Sequence, residues 1–267
     1  MKYAIMQGEP RGVLDRIGAD EQQRRVLHHR QKLNELMRAR VVAGRPGLIH
    51  ASGGLAPFHG GKNETITVKN RDGTLMHMDG PFSETKEVLG GFVIVDFDSR
   101  QDAIAFAKSE HIHDGHVSEL RPIRELWWVS QTLGAAGAKV FMLASIEDQR
   151  TVARRPESER KQIVRAHQAV GSEYVATRGM LDRVPGLWVG VWLGPAAEAT
   201  TIRWVGGGHR VTEGPFVDTD EVMSGFDLVA CRGSDEAVEW AEKLAAHAGD
   251  AIEVRPVDGG CWWIYHE

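Results

Sequence analysis

The sequence predicts an α+β protein of two ferredoxin-like modules with antiparallel sheets, packed as an intramolecular pseudo-dimer that forms an α/β barrel. Three observations predict it. First, Asp79-Gly80-Pro81-Phe82 returns as Glu213-Gly214-Pro215-Phe216 at an offset of 134 residues. That offset holds without a gap from Asp79 to Ile123, and sixteen of those forty-five pairs are identical, so the chain is a tandem duplication. Second, each half reads as strand, helix, several strands, helix, strand, the order of a ferredoxin-like unit. Third, 267 residues that are 42% hydrophobic and 26% charged suit two globular domains, expected at 1–130 and 138–267.

The elements follow in order. Lys2 to Met6 is the first strand, with Lys139 to Leu143 as its counterpart. A helix is expected from Asp20 to Arg40, with Asp20 as its cap and Gln23 at capping-box spacing. Val26, His29, Leu33 and Leu36 share one face of it. The second copy runs from Pro156, suited to a first turn, to a stop at Gly179, with Ile163, His167, Val170 and Tyr174 on one face. Asn70-Arg71-Asp72-Gly73 and Gly206-Gly207-Gly208 are hairpin turns that deliver the chain into each Gly-Pro-Phe motif. Phe92–Phe97 and Phe226–Ala230 are strands. Helices then begin at Ser99 and Ser234, the first ending near His111. Glu119–Ile123 and Glu253–Val257 are the last strands, followed by the aromatic tails Trp127-Trp128 and Trp262-Trp263. Residues 134–137 form the linker. One such sheet has a bare face, and two copies on one chain cover each other.

Several function classes fall away. A net charge of -5 gives no basic face for nucleic acid. No apolar run reaches the ~20 residues that span a bilayer, and no secretory leader is evident. Two cysteines, Cys231 and Cys261, make no disulfide framework, so a reducing cytoplasm is the expected setting. No cofactor motif is present. The expected partner is a small-molecule ligand, and the expected assembly is a monomeric pseudo-dimer or a homodimer.

The motif run Asp79-Gly80-Pro81-Phe82, Glu84-Thr85-Lys86-Glu87 and Gly90-Gly91-Phe92, with the closing strand Glu119–Ile123, resembles the DGPF branch of the YCII-related family. The second half resembles it less, with Glu213, Asp220 and Ser224 at three signature positions. The resemblance implies a dimeric α/β barrel. It implies, for some members, a His-Asp pair and lyase-like or dehydrochlorinase-like activity, and for others a link to sigma-factor signalling.

The candidate catalytic residues are His29 with Asp79, and His167 with Glu213 as a second or degenerate pair. An imidazole titrates near neutral pH, and a carboxylate in reach orients it. A one-residue slip in the helix puts His28 in place of His29. The bland alternative is a core histidine bonded to a backbone carbonyl, and a motif that only builds the turn. Arg121 and Arg255 are candidates for clamping a carboxylate substrate, against ion pairs with Glu119 and Glu253. His111, His113 and His116, with Glu110 and Asp114, have ligand chemistry, but the expectation is a solvated loop and no metal. The leading function is a small-molecule site using proton transfer of lyase type. The alternatives are a non-catalytic ligand-binding or regulatory accessory protein and a purely structural one.

Overall fold

The computed structural model describes residues 1–10, 13, 18–43, 49–55, 64–81, 87–111, 113–131, 138–181, 187–217, 219–248 and 251–258. The expectations for Phe82, Glu84 to Lys86, the linker 134–137, Cys261 and the tail Trp262-Trp263 lie outside these residues. The first repeat runs β1 (Lys2–Pro10), α1 (Ala19–Val42), β2 (Ile49–Leu55), β3 (Ile66–Arg71), β4 (Thr74–Asp79), β5 (Glu87–Asp96), α2 (Arg100–Glu110) and β6 (Val117–Gln131). The second runs β7 (Lys139–Asp148), α3 (Gln149–Arg154), α4 (Glu157–Leu181), β8 (Leu187–Leu193), β9 (Thr200–Val205), β10 (Gly208–Glu213), β11 (Glu221–Cys231), α5 (Ser234–Ala248) and β12 (Ala251–Asp258), with a short 3-10 turn before β9.

Local chemistry sets most of these ends. Ser99 accepts from the Asp102 amide at 3.1 Å, the expected N-cap of α2. α1 begins one residue before Asp20, so Asp20 sits in the first turn, where its charge suits the helix dipole. α4 passes through Gly179 to Leu181, because an internal glycine costs a helix only ~1 kcal/mol. The unforeseen α3 is capped by Asp148, whose carboxylate accepts from the Thr151 amide. In the hairpin turns Asp72 and Gly73, and Gly206 and Gly207, take positive φ, as a type I′ turn requires. Gly80 and Gly214, at φ 97° and 93°, turn each motif out of its hairpin.

In each repeat the four main strands pair antiparallel in ferredoxin-like order, β6-β1-β5-β2 and β12-β7-β11-β8. β6 pairs with β8 and β12 with β2, so these eight strands close into a barrel. Its interior is one apolar cluster drawn from both repeats, including Met6, Phe92, Ile94, Met142, Val191, Phe226 and Leu228. Phe92 and Phe226, the equivalent motif phenylalanines, meet there with centroids 5.6 Å apart. α1 and α2 cover the outer face of the first sheet, and α4 and α5 that of the second. The expected mutual covering of bare faces is therefore the barrel core.

The motif hairpins cross over. β3-β4 of the first repeat pairs with β12 of the second, and β9-β10 of the second pairs with β6 of the first. Register also corrects the strand alignment by one residue. Glu9 faces Val88 and Glu147 faces Val222, so Glu9 and Glu147 are equivalents.

Gly225 makes the sharpest packing test. A Cβ there would lie 2.6 Å from the Val191 carbonyl oxygen, a backbone atom with little freedom to yield. Gly225→Ala is expected to cost about 1–3 kcal/mol in thermal unfolding. Gly208→Ala, whose nearest atom is 4.0 Å away, should leave the melting temperature nearly unchanged. Equal melting temperatures for the two variants would refute this account of the strand contact.

Candidate functional site

The outer face of the first sheet is apolar at Tyr3, Ile5 and Leu120 and turns polar towards one end. There β1 supplies Gln7 and Glu9, α1 supplies Arg25, His28 and His29, and the end of α2 with the chain after it supplies Glu110, His111, His113 and His116. Glu9 and Glu110 are buried, as are His111 and His116.

His29 Nδ1 bonds the Glu110 carboxylate, which also accepts from Gln7 Nε2 at 3.0 Å. The carboxylate is sealed at 1% exposure, while the His29 side chain is 22% exposed. His28 Nε2 takes the Ser109 carbonyl at 3.0 Å, the backbone role foreseen for a core histidine. Asp79 is not part of this group. It ends β4 on the exchanged hairpin, which packs on α5 through His77 and Glu242. The structure therefore pairs His29 with a carboxylate from α2 instead of the motif aspartate.

The second repeat repeats the theme with a different acid. His167 Nδ1 bonds Asp227 at 2.8 Å, and the other Asp227 oxygen accepts from Trp188 Nε1 at 2.8 Å. Both partners are buried, and His167 Nε2 has no hydrogen-bond partner among the described residues. Glu213 is exposed and pairs with Arg100 of α2, 2.5 Å away, because its hairpin too has crossed over.

Arg121 and Arg255 are buried, and backbone carbonyls occupy them. Arg121 donates to the carbonyls of Gly194 and Met223, and Arg255 to that of Leu89. Glu119 pairs with Arg121 and accepts from the Phe216 amide at 2.9 Å. These residues join the repeats; they are not placed as a substrate clamp.

The histidine run is not the solvated loop expected of it, because the second repeat's hairpin lies over it. Trp204 N donates to the His116 carbonyl, Gly115 N to that of Trp204, and Gly206 N to the Asp114 carboxylate. His111 and His116 stack at 4.6 Å, His113 and His116 at 5.1 Å, and His209 of β10 lies 5.3 Å from His111. Burial, then the neighbouring imidazoles of His209 and His113, push His111 down to about 4. Burial, then His111 and His113, hold His116 well below 6.5. The hydrogen bond with Glu9 raises His113 against its burial. Glu9 Oε1 accepts from Arg25 and His113, both at 2.9 Å. Glu9 Oε2, His116 Nδ1, His111 Nδ1 and Glu110 Oε1 are buried without a hydrogen-bond partner among the described residues. Glu9, His113 and His116 bring one ligand atom each within 4.8 Å of one another.

Sequence reasoning missed Glu9, Gln7, Arg25 and Asp227. Glu9 and Gln7 carried a signal: they continue the alternation of Tyr3 and Ile5 on the helix-facing side of β1 with polar groups.

The model for the YCII-related domain matches residues 1–126 and again 140–258. The chain belongs to the YCII-related family. An uncharacterized protein of Rhizobium meliloti (strain 1021) is 34% identical over 103 residues, 38% of this chain and 77% of that protein. Among solved structures, a candidate chlorite dismutase has 8% identity and a TM-score of 0.38, over 96% of this chain and 94% of its own. A heme-binding protein from Thermus thermophilus has 12% identity and a TM-score of 0.36, over 96% and 90%. No helix among the described residues is long and apolar enough to cross a membrane.

The depressed His111 gives a pH signature of the YCII-related chain. An unfolded histidine titrates near 6.5 and the folded one near 4, so between those values the unfolded chain holds the extra proton. The stability from His111 is present above pH 6.5 and lost as pH falls towards 4, by up to about 3 kcal/mol. In chelator, His111→Gln should flatten the acid limb of the melting-temperature profile between pH 7 and 4. An unchanged limb would contradict a neutral buried His111.

Proposed function

We propose that this chain holds a small-molecule site in its first repeat, where His29 moves protons in lyase-type chemistry. One observation carries the reading: a partly exposed imidazole is held through Nδ1 by a sealed carboxylate. With Nδ1–H given to Glu110, Nε2 keeps its lone pair and serves as a general base. The buried His167–Asp227 pair has the same chemistry without the exposure, which supports a structural role there.

A ligand-binding role without turnover has its own support. A cleft of about 460 Å³ runs between α1 and α2, lined by Lys32, Leu36, Arg40, Asp98, Phe106 and Ser109 among others. That size suits a small ligand. The narrower DGPF assignment and the link to sigma-factor signalling rest on the motif resemblance alone.

The test is proton exchange in heavy water with carboxylic acids that carry a leaving group β to an acidic C–H. The whole chain should exchange or eliminate with at least one such acid. His29→Gln should lower that rate by about 100-fold or more while the melting temperature holds. A variant as fast as the wild type, or no exchange with any acid, would leave the ligand-binding reading in its place.

A further inference from the structure

The geometry points to a divalent metal site, best matched to zinc, formed by Glu9, His113 and His116. Two imidazoles and one carboxylate are the donor set of many zinc sites, and three protein ligands leave a coordination position open. The ligand atoms already lie within 4.8 Å of one another. Ligands of a tetrahedral zinc at ~2.0 Å stand about 3.3 Å apart, so side-chain rotation closes the set. The unpartnered atoms make the second, independent observation. Glu9 and His116 are 6% and 7% exposed, and Glu9 Oε2 and His116 Nδ1 have no hydrogen-bond partner among the described residues. Leaving such groups buried and unbonded is costly, and a cation satisfies them together.

The supporting contacts fit the same reading. His113 Nδ1 donates to the Asp114 carbonyl at 2.9 Å, which fixes the tautomer that presents Nε2 to Glu9. A cation taken up by His113 Nε2 displaces the proton that this nitrogen shares with Glu9 Oε1. Arg25 holds Glu9 Oε1 and leaves Oε2 for the metal. The arginine's charge lowers cation affinity, which favours a transition metal held by imidazole over calcium or magnesium. The second repeat is a built-in contrast. Its equivalent carboxylate, Glu147, pairs with Arg155 and accepts from Ser224, and no histidine joins them among the described residues. This inference is separate from proton transfer by His29, since zinc binding needs no turnover.

The test is a calorimetric titration of the whole chain, tag-free and stripped with chelator, with zinc chloride, followed by cobalt(II) absorption. About one zinc per chain should bind, with a Kd of about 1 μM or tighter. Glu9→Gln and His113→Asn should each weaken binding by about 10-fold or more. His247→Gln, at the exposed equivalent of His113, should not change it. Circular dichroism separates lost binding from lost folding, and His113 is partly exposed, so its variant is expected to fold. Absence of binding by the folded wild type would overturn the site. So would undiminished binding by a folded Glu9→Gln, His113→Asn double variant.

Discussion

The pairing of each motif hairpin with the last strand of the other repeat is the constraint on which the rest depends. Gly80 and Gly214 set the turn, and the Thr67 and Thr201 hydroxyls donate to their carbonyls. The Phe216 amide then docks on Glu119 across the repeat boundary, and Arg121 reaches back to Met223. Arg255 makes the matching contact with Leu89. A lone ferredoxin-like sheet would expose the face that now forms the barrel core, and a small domain has little stability to set against that. The duplication supplies the partner on the same chain.

The same crossover builds the polar end of the first repeat. Without β9-β10, the carbonyl of His116 and the carboxylate of Asp114 would face water, and the imidazoles would be solvated. Covered, His111 and His116 are stacked and resist protonation because they are buried, with ring nitrogens that lack partners among the described residues. The repeats differ at this point in which groups meet. Each keeps a carboxylate at the end of its first strand with an arginine on it, Glu9 with Arg25 and Glu147 with Arg155. Each keeps a helix histidine on a buried acid, but the acid comes from α2 in one and from β11 in the other. Only the first repeat adds His116 behind His113.

Much of this was legible in the sequence. The constant offset reveals the two repeats, and periodicity puts Leu33, Val170 and Tyr174 on the buried faces of their helices. The same periodicity puts His29 and His167 on the inward faces of α1 and α4, where each meets an acid. It does not reveal which acid, because a motif carboxylate at a turn looks available to its own repeat. Nothing local shows that the hairpin leaves for the other one. The burial of the histidine loop is hidden from the local sequence for the same reason: His111 and His116 are covered by Trp204 and its neighbours, about ninety residues on. Strand alternation does point Gln7 and Glu9 towards the helices, but which groups meet them depends on packing between elements.

The central claim is that the two repeats form one cooperative unit through their exchanged hairpins and shared core. Hydrogen exchange across a denaturant series tests it most directly, read separately in β1 of the first repeat and β7 of the second. Both strands should lose protection at the same denaturant concentration and with the same dependence on it, since Met6 and Met142 share one core. Loss of protection in one repeat while the other stays closed would contradict the account, because neither sheet face could then depend on the other.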